Sequence, residues 1–205
     1  MVDYLEETQH SATAIKIMRT AERLFMQRGF RAVSVNDIVH AAEVTKPTLY
    51  YHFADKEELF VQMTLHMLAT MHSDMDAALE GKHDIAGRLG ALAEVLLRST
   101  DGDMQMMRRE IQEHLDEARQ QRLNAAFRRH LVEPVRAVMQ EGLDRGELAP
   151  FGALELAMLF LGLISAFQSP RQGTREPSYG GAAPLPTSFP PDTLVRVFLH
   201  GVTAP

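Results

Sequence analysis

The apolar positions between residues 34 and 53 describe two short helices joined by a tight turn. Val35, Ile38, Val39 and Ala42 recur at i, i+3, i+4 and i+7, one face of a helix. Ser34 with Asp37 three residues on has the form of a capping box, and Val33 with Ile38 that of a hydrophobic staple, so this helix starts at Val35. Thr45 is placed to cap the next helix, with Val44 and Leu49 at the staple positions and Pro47 in the first turn, where its missing N–H costs nothing. Leu49 and Phe53 share the buried side. The other side presents Thr45, Lys46, Thr48, Tyr50 and His52, hydrogen-bonding groups able to reach phosphates and base edges in a major groove. A generic helical core explains the apolar positions but not this polar and aromatic run, so the pattern predicts a helix-turn-helix.

Past Phe53 the chain reads as almost continuous helix. Asp55 with Glu58 repeats the cap signature, and helices are predicted from Lys56 to about Leu79, Ile85 to Arg98, Asp103 to His114 and Ala118 to Arg145. Gly146 is placed to cap the last of these, and Pro134 inside it predicts a kink, because it removes one backbone bond and crowds the carbonyl four residues earlier. Two further helices are expected at Gly152–Phe167 and Pro191–His200. Between them, residues 168–190 hold five prolines and three glycines, a composition that reads as an exposed or disordered loop.

Residues 13–60 resemble the DNA-binding domain of the tetracycline-repressor (TetR) family of bacterial transcription regulators. The likeness runs from Ile17, Ala21, Phe25, Gly29 and Phe30, through Ser34, Asp37, Ile38 and Ala42, to Thr45, Lys46, Leu49, Tyr50, His52, Phe53, Lys56, Leu59 and Phe60. Beyond that point it is a matter of helix pattern and length. The resemblance implies an all-α protein, with an N-terminal three-helix helix-turn-helix DNA-binding domain at residues 1–55 and a helical ligand-binding and dimerisation domain at residues 56–205. It implies a DNA-contacting set of Ser34, Val35, Thr45, Lys46, Thr48, Tyr50, His52 and Lys56, the last on a phosphate. One position departs from the family. Glu43 stands in the turn where the family has glycine, so it must either hold φ > 0 at a cost of about 1 kcal/mol or alter the turn.

Composition narrows the classes that remain. At 205 residues and 45% hydrophobic the chain has ample material for a packed core. No run of 18 apolar residues occurs and the N-terminus is acidic, so neither a membrane span nor a secretory signal is expected, and a cytoplasmic protein is. The absence of cysteine excludes disulfides, thiolate catalysis and cysteine-ligated zinc. The net charge of −6 divides unevenly: residues 11–53 carry six Lys and Arg against three Asp and Glu, a net of +3, leaving −9 for the rest. Such a chain offers phosphates one attractive face on a repulsive body.

Two apolar stripes exceed what a single chain needs, and they supply a candidate dimer interface of Leu154, Met158, Leu161 and Ser165 with Leu194 and Phe198. The resemblance implies the same helices in a four-helix bundle across a two-fold axis. One recognition helix reads only a few base pairs, so specificity also calls for two copies on a palindromic site. Methionines recur along 63–75 and cluster at 104–107, and this adaptable side chain suits an apolar effector. The candidate pocket comprises Met67, Met71, Met104, Met107, Phe127 and Met139, with Glu110 and His114 as polar contacts. The scattered histidines have no metal-ligand spacing, and no cofactor, metal or catalytic residue is expected. The reading is therefore a dimeric DNA-binding regulator, most simply a repressor released from its operator by an apolar small molecule. The alternative is a helical small-molecule-binding protein or enzyme with no DNA-binding role.

Overall fold

The structure is a computed structural model that describes residues 10–99, 104–166 and 190–202, without the side chains of 99, 104–108 and 202. The proline- and glycine-rich stretch 168–189 lies outside the described residues. Every regular element among those described is helical: α1 (Ala12–Arg28), α2 (Val35–Ala41), α3 (Lys46–His52), α4 (Lys56–Leu79), α5 (Ile85–Ser99), α6 (Met104–His114), α7 (Glu117–Phe127), a π-helical turn (Arg128–Val132), α8 (Glu133–Asp144), α9 (Ala153–Ala166) and α10 (Pro191–Val202).

The starts follow from side chains that satisfy orphan backbone N–H groups. Ser11, Ser34, Thr45, Asp55 and Asp116 each cap the helix that follows, and Ser34 with Asp37 closes a full capping box. Gly146, at φ 70°, ends α8 as expected, with the Glu147 N–H reaching back to the Gly142 carbonyl at 2.9 Å. The long helix expected over 118–145 is interrupted by a π-helical turn just before its proline. Pro134 lacks the N–H that the ladder needs, so the chain slips into the π-helical turn just upstream, where the Glu133 N–H bonds the Arg128 carbonyl five residues back. Pro134 itself then falls in the first turn of α8, where no donor is missed.

Two apolar cores share one helix. In the head, Ile17, Ala21 and Phe25 of α1 pack with Ile38, Leu49 and Phe53, and rings Phe25, Phe30 and Phe60 stand 5.2 to 5.7 Å apart. This core continues into Leu59, Phe60 and Met63 of α4 and reaches Ile111, Leu115 and Leu123. The second core joins Leu68, Met71 and Met75 to Leu89, Leu92, Val138, Met139, Leu156, Phe160, Leu194 and Phe198. The boundary expected at 55/56 thus falls where an unbroken helix begins, and the first two turns of that helix belong to the head.

Glu43 holds φ 52°, the only positive φ outside glycine among the described residues, so the turn keeps its shape around a side chain. Its carboxylate meets Lys16 Nζ at 3.4 Å in an exposed pair that contributes little. Glu43→Gly should therefore raise stability by roughly 0.5 to 1 kcal/mol, seen as a higher midpoint in urea unfolding at unchanged slope.

Candidate nucleic-acid interface

The helix-turn-helix is anchored from behind. Leu49 and Phe53 are fully buried against α1 and α2, which turns the opposite side of α3 outward. Thr45 Oγ accepts the Thr48 N–H at 3.3 Å and shares a 2.8 Å hydrogen bond with its hydroxyl, so the pair is committed to the cap while remaining at the surface. Lys46 is exposed and makes no hydrogen bond or ion pair among the described residues. Tyr50 is 50% exposed and Tyr51 84%, the largest exposure of any apolar-bodied side chain described. Tyr51 was not among the residues expected to meet DNA. It stands two positions from Leu49, about 200° around the helix, and that geometry alone points it away from the core.

The remaining expected contacts occupy less open positions. Ser34 is exposed, but its hydroxyl lies 2.5 Å from Asp37 Oδ2 within the capping box, and this bond holds the Asp37 carboxyl below its ordinary value. Val35 is half-buried and packs on the head core. His52 is half-buried with its ring 6.1 Å from Phe53. It also lies near His10, whose pKa is depressed by burial and then by the neighbouring His66 and His52 rings.

Lys56, expected on a phosphate, is engaged within the chain. Its ammonium donates to the carbonyls of Phe30 and Val33, each at 3.0 Å, and lies 4.0 Å over the Phe30 ring. A cation at the first position of a helix is disfavoured by the dipole, and loop carbonyls past the end of α1 offer acceptors that helix N–H groups cannot. Burial holds this lysine below its usual value, opposed by Glu57 and Glu110.

Glu110 and His114, expected to contact an effector, instead join the body to the head. Glu110 Oε1 accepts the Phe30 N–H at 3.3 Å, Oε2 lies 3.0 Å from His114 Nε2, and the His114 ring stacks on Phe30 at 5.5 Å. Both are turned inward because the last turn of α6 abuts the loop after α1. The other expected effector contacts do not converge. Met139 is fully buried in the body core, Phe127 bridges the two cores, and the side chains of Met104 and Met107 lie outside the described residues. Met67 and Met71, with Met18 and Met63, line a crevice of about 230 Å³ whose residues come from α1 and α4, with none from α5, α6 or α7.

The expected dimer residues divide in the same way. Leu154 is 47% and Met158 55% exposed, with Leu161 and Ser165 continuing the stripe half-buried. Leu194 and Phe198 point the other way, into the chain's own core, where Phe198 meets Phe160 at 5.3 Å. The exposed large apolar residue of α10 among those described is Val197, at 61%.

An exposed polar and aromatic face on the second helix of a capped helix-turn-helix, set on a basic head, defines a DNA-binding protein of the helix-turn-helix class. The family model for bacterial regulatory proteins, tetR family, matches residues 17–63, the helix-turn-helix and the start of α4. The HTH-type transcriptional regulator TtgR of Pseudomonas putida is 36% identical over 93 residues, which cover 45% of this chain and 42% of that protein. The matched segment thus spans less than half the length of that relative. Over nearly the whole chain the fold is similar to that of reduced Escherichia coli NemR, with TM-score 0.72, 20% identity and coverage of 94% of this chain and 97% of that one. A TetR-family protein from Vibrio parahaemolyticus aligns with TM-score 0.70, 16% identity and coverage of 94% and 100%.

Lys56→Met keeps the aliphatic stem over Phe30 and removes the donors. Urea unfolding should show a loss of about 1 to 3 kcal/mol, because two loop carbonyls lose a charged partner. The salt slope of duplex binding should stay unchanged, where a lost phosphate contact would lower it by about one unit.

Proposed function

We propose that the chain is a two-fold dimer that places a pair of α3 helices in successive major grooves of a palindromic operator and regulates transcription there as a repressor. In this reading residues 1–55 form the DNA-reading part and residues 56–205 the ligand-binding and dimerising part of a cytoplasmic regulator. The observation that carries it is the free outward face of Lys46, Tyr50 and Tyr51 on a buried anchor of Leu49 and Phe53. The +3 head on a −9 remainder favours approach by that face alone. Dimerisation is supported by Leu154 and Met158 of α9 and Val197 of α10, large apolar side chains left open on one chain. Repression is the simplest action at an operator, and one relative carries the name transcriptional repressor NemR, while another is named transcriptional activator FasR.

Release is proposed to follow from an apolar small molecule that prefers one tilt of α4. This helix holds residues of both cores, so a changed tilt alters the spacing of the two recognition helices. A differential affinity of about 1 to 3 kcal/mol shifts DNA binding 5- to 150-fold.

Selection from random duplexes with the purified chain should enrich two inverted half-sites about 34 to 36 Å apart or a multiple of it. Lys46→Ala or Tyr51→Ala should then weaken the selected duplex by roughly 1 to 3 kcal/mol in mobility-shift titrations. An unenriched pool would overturn the DNA reading. Met158→Arg should give a folded monomer by sedimentation, since it places a charge in the interface while leaving the chain's own core intact.

A further inference from the structure

The α1–α4 crevice has a chemical character of its own. Its walls are the side chains of Met18, Met63, Met67 and Met71, unbranched and polarisable groups that adapt to irregular apolar shapes. Its volume of about 230 Å³ falls below the range of roughly 300 to 1,000 Å³ typical of drug-sized ligands, so it suits only a small molecule. Set among the methionines is Glu22 of α1, half-buried and without a hydrogen bond or ion pair among the described residues. Asp74 of α4, at the rim, likewise has no partner there.

We propose that this crevice is a binding site for a small organic cation, an ammonium bearing a short aliphatic group. Two carboxylates face one guanidinium, that of Arg19, so acidic side chains outnumber the permanent cation in the crevice. Burial pushes the Glu22 carboxyl up, and Arg19 opposes this only in part. A neutral apolar ligand would desolvate Glu22 further with nothing to pair it, and an anion would meet two like charges. A cation instead supplies the missing partner, while its aliphatic part covers the thioethers. The site takes no residue from α5, α6 or α7, and its existence does not depend on DNA binding.

Calorimetric titration of the full chain without DNA tests it, with butyltrimethylammonium as the cation and hexan-1-ol as an uncharged ligand of similar size. The cation should bind at least about tenfold more tightly than the alcohol. Glu22→Gln should weaken the cation by about tenfold or more and leave the alcohol unchanged. Met67→Trp, which fills the crevice from a half-buried position, should abolish binding of both, and a thermal melt of each variant reports that the fold persists. Equal affinity for cation and alcohol, a Glu22→Gln protein that binds the cation as the parent does, or no binding heat with the parent protein would overturn the proposal.

Discussion

The first turn of α4 is held from two sides at once, and the relation of head to body depends on it. Asp55 caps the helix through Oδ1, which accepts the Glu58 N–H at 2.6 Å, while its Oδ2 takes Arg119 of α7 at 2.6 Å. Glu58 accepts from Arg122 at 3.1 Å, and Lys56 points the other way to the carbonyls after α1. A lone surface ion pair contributes little, but here two arginines and two carboxylates are linked to each other and to a helix cap. Removing one member therefore disturbs both a charge pair and the start of the helix.

This arrangement explains how a recognition helix of only seven residues can be aimed. Alone, α3 is far too short to be stable in water. Leu49 and Phe53 fix it to α1 and α2, Phe25, Phe30 and Phe60 fix those to α4, the charged cluster fixes α4 to α7, and Glu110 fixes α6 to the loop after α1. Head and body are thus tied to each other through packed rings and hydrogen bonds. The same continuity makes the α1–α4 crevice a sensitive place, because anything held there lies between two helices of the head core.

Local signals in the sequence were legible to within a residue or two. The capping residues Ser34, Thr45 and Asp55 and the buried pair Leu49 and Phe53 follow from rules that involve near neighbours, whereas the choice between a positive φ and an altered turn at Glu43 did not. What the sequence hid was direction between elements. Lys56 and Glu110 have the composition of surface ligand-binding groups, and only the placement of the loop at Phe30 makes them internal clasps. Leu194 and Phe198 share a periodic stripe with Val197, and helical spacing cannot tell which side of that stripe meets the chain's own core. Met139 reads like Met67 in sequence, yet one is fully buried and the other lines a crevice. The ladder's escape from Pro134 into a π-helical turn was another such case: the defect was predictable and its form was not.

The central claim is that the charged first turn of α4 sets the angle between head and body, and a distance measurement tests it directly. The chain contains no cysteine, so spin labels at Asn36→Cys on α2 and Gln121→Cys on α7 report that relation without background. In labelled protein diluted with unlabelled chain, electron–electron resonance should give one narrow distance for the parent and a broader, shifted distribution for Arg119→Ala. Identical distributions in the two proteins would contradict the account.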